Sequence, residues 1–383
     1  MKEDLSFLSD KSFKDPIDQL EQLLSRSGQS FLLGAGCSRC ADLPLTYELT
    51  EQVLKNETLS SSTQKILKFL VREFEGSDTE NSGISTIEDY MSDLIDLLSI
   101  AQRRYDCKVA NCKLELDEEY SLEDLRTALE EIKNAIAKCI DKEVEISIHR
   151  DFIRAVHGMS QSGKPVNSPA VNYFVLNYDT LIEDSLAIER VPYVDGFSGG
   201  STGWWDSNCF DKKDISARVF KVHGSIDWCL LEGDVLPRRI RPKIKSISHD
   251  ERVMIWPAAT KYRETQRDPY AQIISQMRTI LRPSENSEAI LTICGYRFGD
   301  SHINLELDRA LKESEQRLTI VAFTSDDNPT GQLEKWIKDP EVRDQVRIYA
   351  NGGFFHGAET ITSETGLPWW KFETFTRLLG GER

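Results

Sequence analysis

Residues 31–38 read Phe31-Leu32-Leu33-Gly34-Ala35-Gly36-Cys37-Ser38, an apolar run that stops at a glycine loop. Helical character resumes at Thr46, so the pattern predicts a strand, a glycine loop and a helix. Glycines at such a turn let the backbone approach a pyrophosphate, and the helix start offers free N–H groups. Arg39 stands where the dinucleotide fingerprint has its third glycine, so a hydride-transfer dehydrogenase fits poorly. Taken alone, the loop is equally consistent with a simple tight turn.

Further short apolar runs predict strands later in the chain. They are Tyr173–Leu176, Val219–Val222, Val253–Ile255, Ile290–Cys294, Leu318–Phe323 and Val346–Tyr349. Several are nearly continuous apolar runs, which suit a parallel sheet covered on both faces by crossover helices. We therefore predict an α/β fold built on a Rossmann-like parallel sheet.

Residues 55–160 lack strand signals of comparable quality. Thr86-x-x-Asp89 and Ser121-x-x-Asp124 read instead as capping boxes that open helices. We predict a helical insertion module over 55–160, inside a discontinuous Rossmann-like domain formed by 1–54 and 161–335. Residues 336–383 are predicted to be a C-terminal extension that packs on the core or takes part in assembly. Its aromatic residues include Trp336, Trp369, Trp370, Phe372 and Phe375.

Charge and composition restrict the location and partners of the chain. A formal net charge of -16 disfavours nonspecific polyanion binding, which needs clustered Lys and Arg. We interpret the basic run from Arg238 to Lys245 as a solvated loop and expect no direct nucleic acid contact. No apolar run approaches a membrane span, and the acidic, polar first residues do not read as a secretory signal. A cytoplasmic protein without a membrane partner is expected.

The eight cysteines show no regular framework, so reduced thiols are expected. Cys37 and Cys40 form one C-x-x-C pair. Cys107 and Cys112 are spaced too widely to be the second half of an ordinary zinc ribbon. No metal site is predicted.

Three later segments place glycine or polar residues directly after predicted strands. They are Asn177-Tyr178-Asp179, Lys221-Val222-His223-Gly224-Ser225 and Cys294-Gly295-Tyr296-Arg297-Phe298-Gly299-Asp300. Polar groups at the carboxyl ends of strands in an open α/β sheet point into the ligand crevice. A histidine there suits proton transfer at neutral pH. Each segment alone also has a structural interpretation, as a helix cap, a structural histidine or a turn.

Together with the glycine loop, these segments resemble the sirtuin-like superfamily, whose members carry a GAG-x-S loop, an Asn-x-Asp segment, a catalytic His-Gly and a late glycine segment. The resemblance spans roughly Phe31 to Asp300 and looks closest to the bacterial anti-phage branch, with its NYD, KxHGS and GYxFGD forms. It implies a sirtuin-like fold, also described as similar to deoxyhypusine synthase, that binds NAD as substrate.

The resemblance also implies roles for individual residues. Asn177 would hold the nicotinamide ribose and a water, and His223 would act as a base or as partner of a ribose hydroxyl. The glycine loop would cradle the pyrophosphate, Asp179 would face the nicotinamide amide, and Gly295 with Arg297 would lie near the adenosine half. The cofactor-binding residues implied are Gly34, Ala35, Gly36, Ser38, Asp179, Ser225, Gly295 and Arg297. Arg297 departs from the small polar residue usual at its place.

Two departures favour NAD hydrolysis over protein deacylation. Deacylating sirtuins hold zinc on two C-x-x-C pairs, whereas the region between Asp179 and His223 contains only Cys209. They also follow the glycine loop with a Pro-Asp-Phe-Arg type segment, where this chain has Ala41-Asp42-Leu43-Pro44-Leu45. The resemblance thus implies an NAD+ glycohydrolase that needs no zinc.

The branch further implies an effector that depletes NAD in anti-phage defence. It would form a homo-oligomer and work with a separately encoded, hexameric DNA-translocase ATPase of the HerA type. Two alternatives stay open: an NAD-dependent protein deacylase, and a sensor that binds NAD or ADP-ribose without turnover.

Overall fold

The computed structural model describes residues 11–26, 28–75, 85–107, 120–161, 169–231, 233–240, 251–254 and 268–382. Its α-helices are α1 Lys14–Leu24, α2 Thr46–Leu54, α3 Ser61–Glu75, α4 Ile87–Asp106, α5 Leu122–Ile140, α6 Ser147–Gln161, α7 Leu181–Ile188, α8 Tyr270–Ile280, α9 Ser301–Glu313, α10 Gly331–Lys338 and α11 Phe372–Leu379. Its strands are β1 Gln29–Leu33, β2 Val171–Val175, β3 Tyr193–Val194, β4 Phe197–Ser198, β5 Trp204–Trp205, β6 Ala217–Lys221, β7 Gly224–Leu230, β8 Arg238–Arg239, β9 Glu251–Met254, β10 Ala289–Cys294, β11 Leu318–Thr324, β12 Val346–Ala350, β13 Gly353–His356 and β14 Glu359–Thr362.

Nine of the described strands form one sheet in the order β14-β13-β12-β11-β10-β1-β2-β6-β3. The pairs from β12 to β3 are parallel, and an antiparallel hairpin of β13 and β14 closes one edge. The chain builds outward from β1 in both directions, so the strand order reverses between β1 and β10. In open α/β sheets, ligands bind outside the carboxyl ends of the strands at such a reversal.

The sheet is covered on both faces because its strands are apolar on both sides. Successive side chains of a strand point to opposite faces. Accordingly, Phe174 and Phe220 belong to one core, and Tyr173 and Val219 to the other, all with no exposed surface. Burying a large apolar side chain contributes roughly 1.5–3 kcal/mol, so these strands are a principal source of stability.

The helices α2 to α5 share a separate core of their own, drawn from residues 49–136. The side chain of Tyr178, from the loop after β2, belongs to that core, and Ile226 of β7 packs against it. Helix α6 packs instead on the sheet through Phe152 and Ile153. The helical module therefore packs against the loop after β2 and against β7, at the carboxyl edge of the sheet.

The predicted fold class is confirmed: a large parallel sheet with crossover helices and inserted helices. The predicted strands coincide with β1, β2, β6, β9, β10, β11 and β12 to within two residues, except that Ile255 lies outside the described residues. The domain boundaries stay predictions. Beyond 335 the chain supplies β12 to β14 and α11, and Trp336, Trp369, Phe372 and Phe375 are buried in the two cores of the sheet.

A second sheet, of order β4-β5-β8-β7-β9, was not predicted. It corrects one interpretation, because Arg238 and Arg239 form strand β8 rather than a solvated loop. The Arg239 guanidinium pairs with the buried carboxylate of Asp195, and Arg238 with Asp234. The sequence showed the positive charge of the two arginines, but it did not show that carboxylates lie beside them in the fold. The rest of the basic run, from Arg241 to Lys245, lies outside the described residues. Within the described part of the chain, no helix has the length and apolarity that a membrane span requires.

Candidate functional site

The register between β2 and β6 brings two of the motifs together. Val175 pairs with Lys221, so Asn177 and His223 each lie two residues beyond the same rung of the ladder. The loops stay connected past the strand ends, because the backbone N–H of Ile226 donates to the carbonyl of Tyr178 at 2.9 Å. Neighbouring strands are spaced about 4.8 Å apart. Asn177 and His223 thus share the carboxyl edge of the sheet.

Asn177 is held by the glycine loop, and we call Gly34, Ser38, Asn177 and Asp179 the amide half of the site. Asn177 Nδ2 donates to the carbonyl of Gly34 at 3.0 Å and to Ser38 Oγ at 2.6 Å. Ser38 Oγ in turn donates to Asp179 Oδ2 at 2.6 Å. Asp179 Oδ1 accepts the backbone N–H of Leu181 at 3.2 Å, which opens α7. Asp179 therefore accepts the first N–H of α7, whose N-cap is Thr180, and Asn177 is oriented by the loop after β1.

His223 has a carboxylate partner that the motif interpretation left unassigned. Its Nε2 lies 3.1 Å from Asp300 Oδ2, and both side chains are buried. Asp300 comes from the turn after β10, and its other oxygen, Oδ1, accepts the backbone N–H of His302 at 3.0 Å at the start of α9. The hydroxyl of Tyr296 accepts the backbone N–H of Asp300 at 3.2 Å. We call His223, Tyr296 and Asp300 the imidazole half.

The glycine loop and the turn after β10 are packed backbone against backbone. A Cβ on Gly34 would lie 2.4 Å from the carbonyl oxygen of Gly295, and one on Gly36 would lie 2.7 Å from Gly295 Cα. Gly295 itself has φ +67°, and its Cβ would lie 2.5 Å from the backbone nitrogen of Cys37. The N–H of Gly36 donates to Gly295 O at 2.9 Å. These glycines therefore have a packing reason to lack side chains, besides the pyrophosphate role that the sequence implied.

A buried ion pair lies beneath the two halves. The Lys221 ammonium, 1% exposed, donates to the carbonyl of Asp179, and it lies 3.6 Å from Glu183 Oε1. Burial raises the pKa of the Glu183 carboxyl to about 7, although Lys221 opposes the shift. Because Lys221 ends β6 and Asp179 follows β2, this contact joins the segment that leads to His223 to the loop that carries Asn177.

The remaining residues that the sequence singled out differ in how exposed they are. Ser225 is fully buried, and its Oγ donates to the carbonyl of Tyr178 at 3.2 Å, so it braces the loop. Ala35 is half-buried at the start of a short 3-10 helix, Ala35–Ala41. Arg297 is exposed on the turn after β10. The side chains within each half are joined by hydrogen bonds, whereas Ser225 points into the structure and Arg297 toward solvent.

The two cysteines at this edge are buried, and their burial affects their reactivity. Burial raises the pKa of the Cys37 thiol well above its usual range and that of Cys40 to about 12, so neither is a ready thiolate nucleophile. Among the described residues, no group of three or more His, Cys, Asp or Glu side chains is arranged to hold a metal ion. The two halves contribute an amide, an imidazole, carboxylates and the hydroxyls of Ser38 and Tyr296.

Comparison with known families points the same way as the motifs. Residues 171–344 match the SIR2-like domain model. The matched segment contains Asn177, His223 and Asp300, covers slightly less than half of the chain, and leaves out the glycine loop at 34–38. The family of the match is therefore the one that the order of the motifs indicated.

Solved structures include two distant likenesses. Both are mutants of a Sir2 homologue in complex with ADP-ribose, each 10% identical with a TM-score of 0.43. One alignment covers 96% of each chain and the other 94% of each chain. Similarity at this level leads to no conclusion about the site of the present chain. No curated protein matches the sequence.

Sequence analysis missed three residues of the site. Asp300 was visible as the end of the GYRFGD segment, but nothing in the sequence pairs it with a histidine 77 residues earlier. Lys221 stood inside a quoted motif without a role. Glu183 carried no signal, because one acidic residue in the first turn of a helix is ordinary.

Proposed function

We propose that the protein is an NAD+ glycohydrolase that cleaves NAD to nicotinamide and ADP-ribose. The observation that carries the proposal is the common edge of β2 and β6, where Asn177 and His223 follow the same ladder rung. The match of residues 171–344 to the SIR2-like domain supports an NAD-related activity. The hydrolase rather than the deacylase is favoured by the sequence between Asp179 and His223, which has a single cysteine and no pair of C-x-x-C motifs.

The reaction requires little of the protein beyond positioning and charge. The bond between nicotinamide and ribose breaks with its electrons leaving on nicotinamide, and the ribose passes through an oxocarbenium-like state. Water then adds to the ribose carbon and loses one proton. In the proposal, Asn177 orients the ribose and the water, and His223 accepts the proton or bonds a ribose hydroxyl.

The binding roles belong to the proposal as well. The loop of Gly34, Ala35 and Gly36, with Ser38, would hold the pyrophosphate side of NAD. Because Gly36 N–H already donates to Gly295, the loop would contribute its remaining groups and the start of the 3-10 helix. The other proposed NAD-binding residues are Asp179, Ser225, Gly295 and Arg297. Asp179 and Ser225 act by shaping the loop that presents Asn177.

We further propose, on the resemblance to the anti-phage branch, that NAD depletion in the cytoplasm is the biological output. A freely active NADase would harm its own cell, so a homo-oligomer controlled by a HerA-type DNA-translocase ATPase is the expected form. Size-exclusion chromatography with light scattering tests this part. A strict monomer, with and without the ATPase, would contradict it.

The experiment for the activity is chromatography of NAD after incubation with the purified protein, alone and with the ATPase. Wild type should release nicotinamide and ADP-ribose. Asn177→Ala and His223→Ala should each lower the rate by about two to four orders of magnitude, since each removes a group that positions water or a proton.

Matched controls are available on remote elements. Asn134→Ala on the exposed side of α5 and His356→Ala on β13, the strand next to the sheet edge, change the same residue types and should leave the rate unchanged. If Asn177→Ala or His223→Ala consumed NAD at the wild-type rate, that residue would have no catalytic role. NAD consumption only with an acetyl-lysine peptide would indicate a deacylase, and calorimetric binding without product would indicate a sensor.

A further inference from the structure

We propose that Asp300 is a positioning residue that fixes the orientation and tautomer of His223, and that the GYRFGD segment is built to hold it there. The role in turnover rests on the proposed function. The placement of the proton on the imidazole does not, and it can be measured independently.

The contact itself defines the tautomer. An ionised carboxylate only accepts hydrogen bonds, so a histidine nitrogen 3.1 Å away must carry the proton. In neutral His223 the proton then lies on Nε2, and Nδ1 keeps the lone pair. Histidines in functional sites are commonly set in this way, by the hydrogen bond of the opposite ring nitrogen. Both residues are only 6% exposed, which strengthens the interaction because water is excluded.

The two oxygens of Asp300 have separate tasks. Oδ2 faces His223, whereas Oδ1 accepts the backbone N–H groups of His302 at 3.0 Å and Ile303 at 3.5 Å. Asp300 is thus the N-cap of α9, and the positive end of the helix dipole favours its charged form. A carboxylate fixed at one oxygen by a helix has little rotational freedom left at the other.

The rest of the segment holds the backbone of Asp300. The Tyr296 hydroxyl accepts the Asp300 N–H at 3.2 Å and lies 3.1 Å from the Asp300 carbonyl oxygen. Asn304 Nδ2 donates to the carbonyl of Phe298 at 2.7 Å, and Phe298 has φ +57°, so the turn is pinned in a left-handed conformation. Gly295 anchors the start of the turn against the glycine loop.

This bracing is needed because Asp300 comes from far across the sheet. Strands β1 and β2 lie between β10 and β6, so the turn after β10 extends over two strand ends to bring its carboxylate to His223. A helix N-cap alone requires no such reach. We infer that the segment serves the histidine as well as the helix.

The test is ¹⁵N NMR of the ring nitrogens in histidine-labelled full-length protein, with His223 assigned from a His223→Gln sample. Wild type should show the tautomer protonated on Nε2. Asp300→Asn and Asp300→Ser both keep a good N-cap but remove the carboxylate, so the Nε2-protonated population should fall in both. Turnover should fall at least about tenfold, with little change in thermal midpoint.

Asp206→Asn is the matched control, since Asp206 caps the short helix Ser207–Asp211 through the N–H of Asn208. It should leave the His223 signals unchanged. A wild-type His223 protonated on Nδ1, or a tautomer that stays the same in both Asp300 variants, would overturn the proposal. If the variants fail to fold, the wild-type tautomer still decides. If wild type consumes no NAD while the tautomer behaves as expected, only the proposed function fails.

Discussion

The amide half and the imidazole half of the candidate site are held in different ways. In the amide half, Asn177 contacts a loop that follows β1, the strand beside its own, so its side-chain hydrogen bonds run between adjacent strand ends. In the imidazole half, His223 depends on Asp300, whose strand lies three positions away in the sheet. Neighbouring loops follow from strand order alone, whereas a distant partner needs a braced turn. The imidazole half should therefore be the more easily disturbed.

The largest effect is expected at Gly295, where both halves meet. Gly295→Ala adds a Cβ 2.5 Å from the Cys37 nitrogen at a φ of +67°. The left-handed backbone and the overpacking together should lower the free energy of unfolding by about 4 kcal/mol. Chemical denaturation measures this loss, and the His223–Asp300 contact should weaken with it.

Gly299→Ala is the control within the same turn. A Cβ there meets nothing within 4 Å, and Gly299 is not among the glycines with positive φ. Its stability should stay close to that of wild type. If the two variants were equally stable, the packing of the glycine loop on this turn would not explain the glycines.

A smaller effect is expected at the buried pair that joins the halves. Burial raises the pKa of Glu183 from its ordinary value of 4.5 to about 7, with Lys221 opposing the shift and Asp227 and Asp195 adding to it. The folded protein therefore keeps a proton that the unfolded chain has released. This contribution favours folding at low pH and is lost as pH rises from 4.5 to 7, by an amount on the order of 3 kcal/mol.

Glu183→Gln removes this titration and should flatten the dependence of stability on pH within that window. Urea unfolding at several pH values compares it with wild type. Glu189→Gln, at the end of the same helix, is the control: hydrogen bonds from Arg154 and Arg150 lower the pKa of Glu189, so its effect lies below the window. A Glu183→Gln profile as steep as that of wild type would show that Glu183 is not the group that titrates.

What the sequence predicted well is what local pattern determines. Buried runs such as Phe31–Leu33 and Ile290–Cys294 are apolar on both faces, and that composition suits few environments besides a covered parallel sheet. The amide half was within reach for the same reason, because the GAG-x-S and NYD segments end neighbouring strands. The two-residue strands β4, β5 and β8 have no usable period, so the second sheet was missed.

The pairing of His223 with Asp300 was beyond the sequence for a different reason. Both residues stood in segments that were singled out, but a contact across two intervening strands depends on strand order and on the reach of a turn. The spacing of residues along one segment gives neither the strand order nor the reach of the turn. Similarly, the glycines were read as a cradle for phosphate, while the backbone contact between two loops that they permit appears only in three dimensions.

In the proposed function, Asn177 and His223 act on one bond of one bound NAD. A crystal structure of the His223→Ala protein with NAD tests it most directly, since that variant should bind without turnover. We expect the nicotinamide ribose at the carboxyl ends of β2 and β6, within hydrogen-bond distance of the Asn177 side chain and beside the vacated imidazole position. NAD bound elsewhere on the sheet, or Asn177 separated from position 223 by packed side chains, would contradict it.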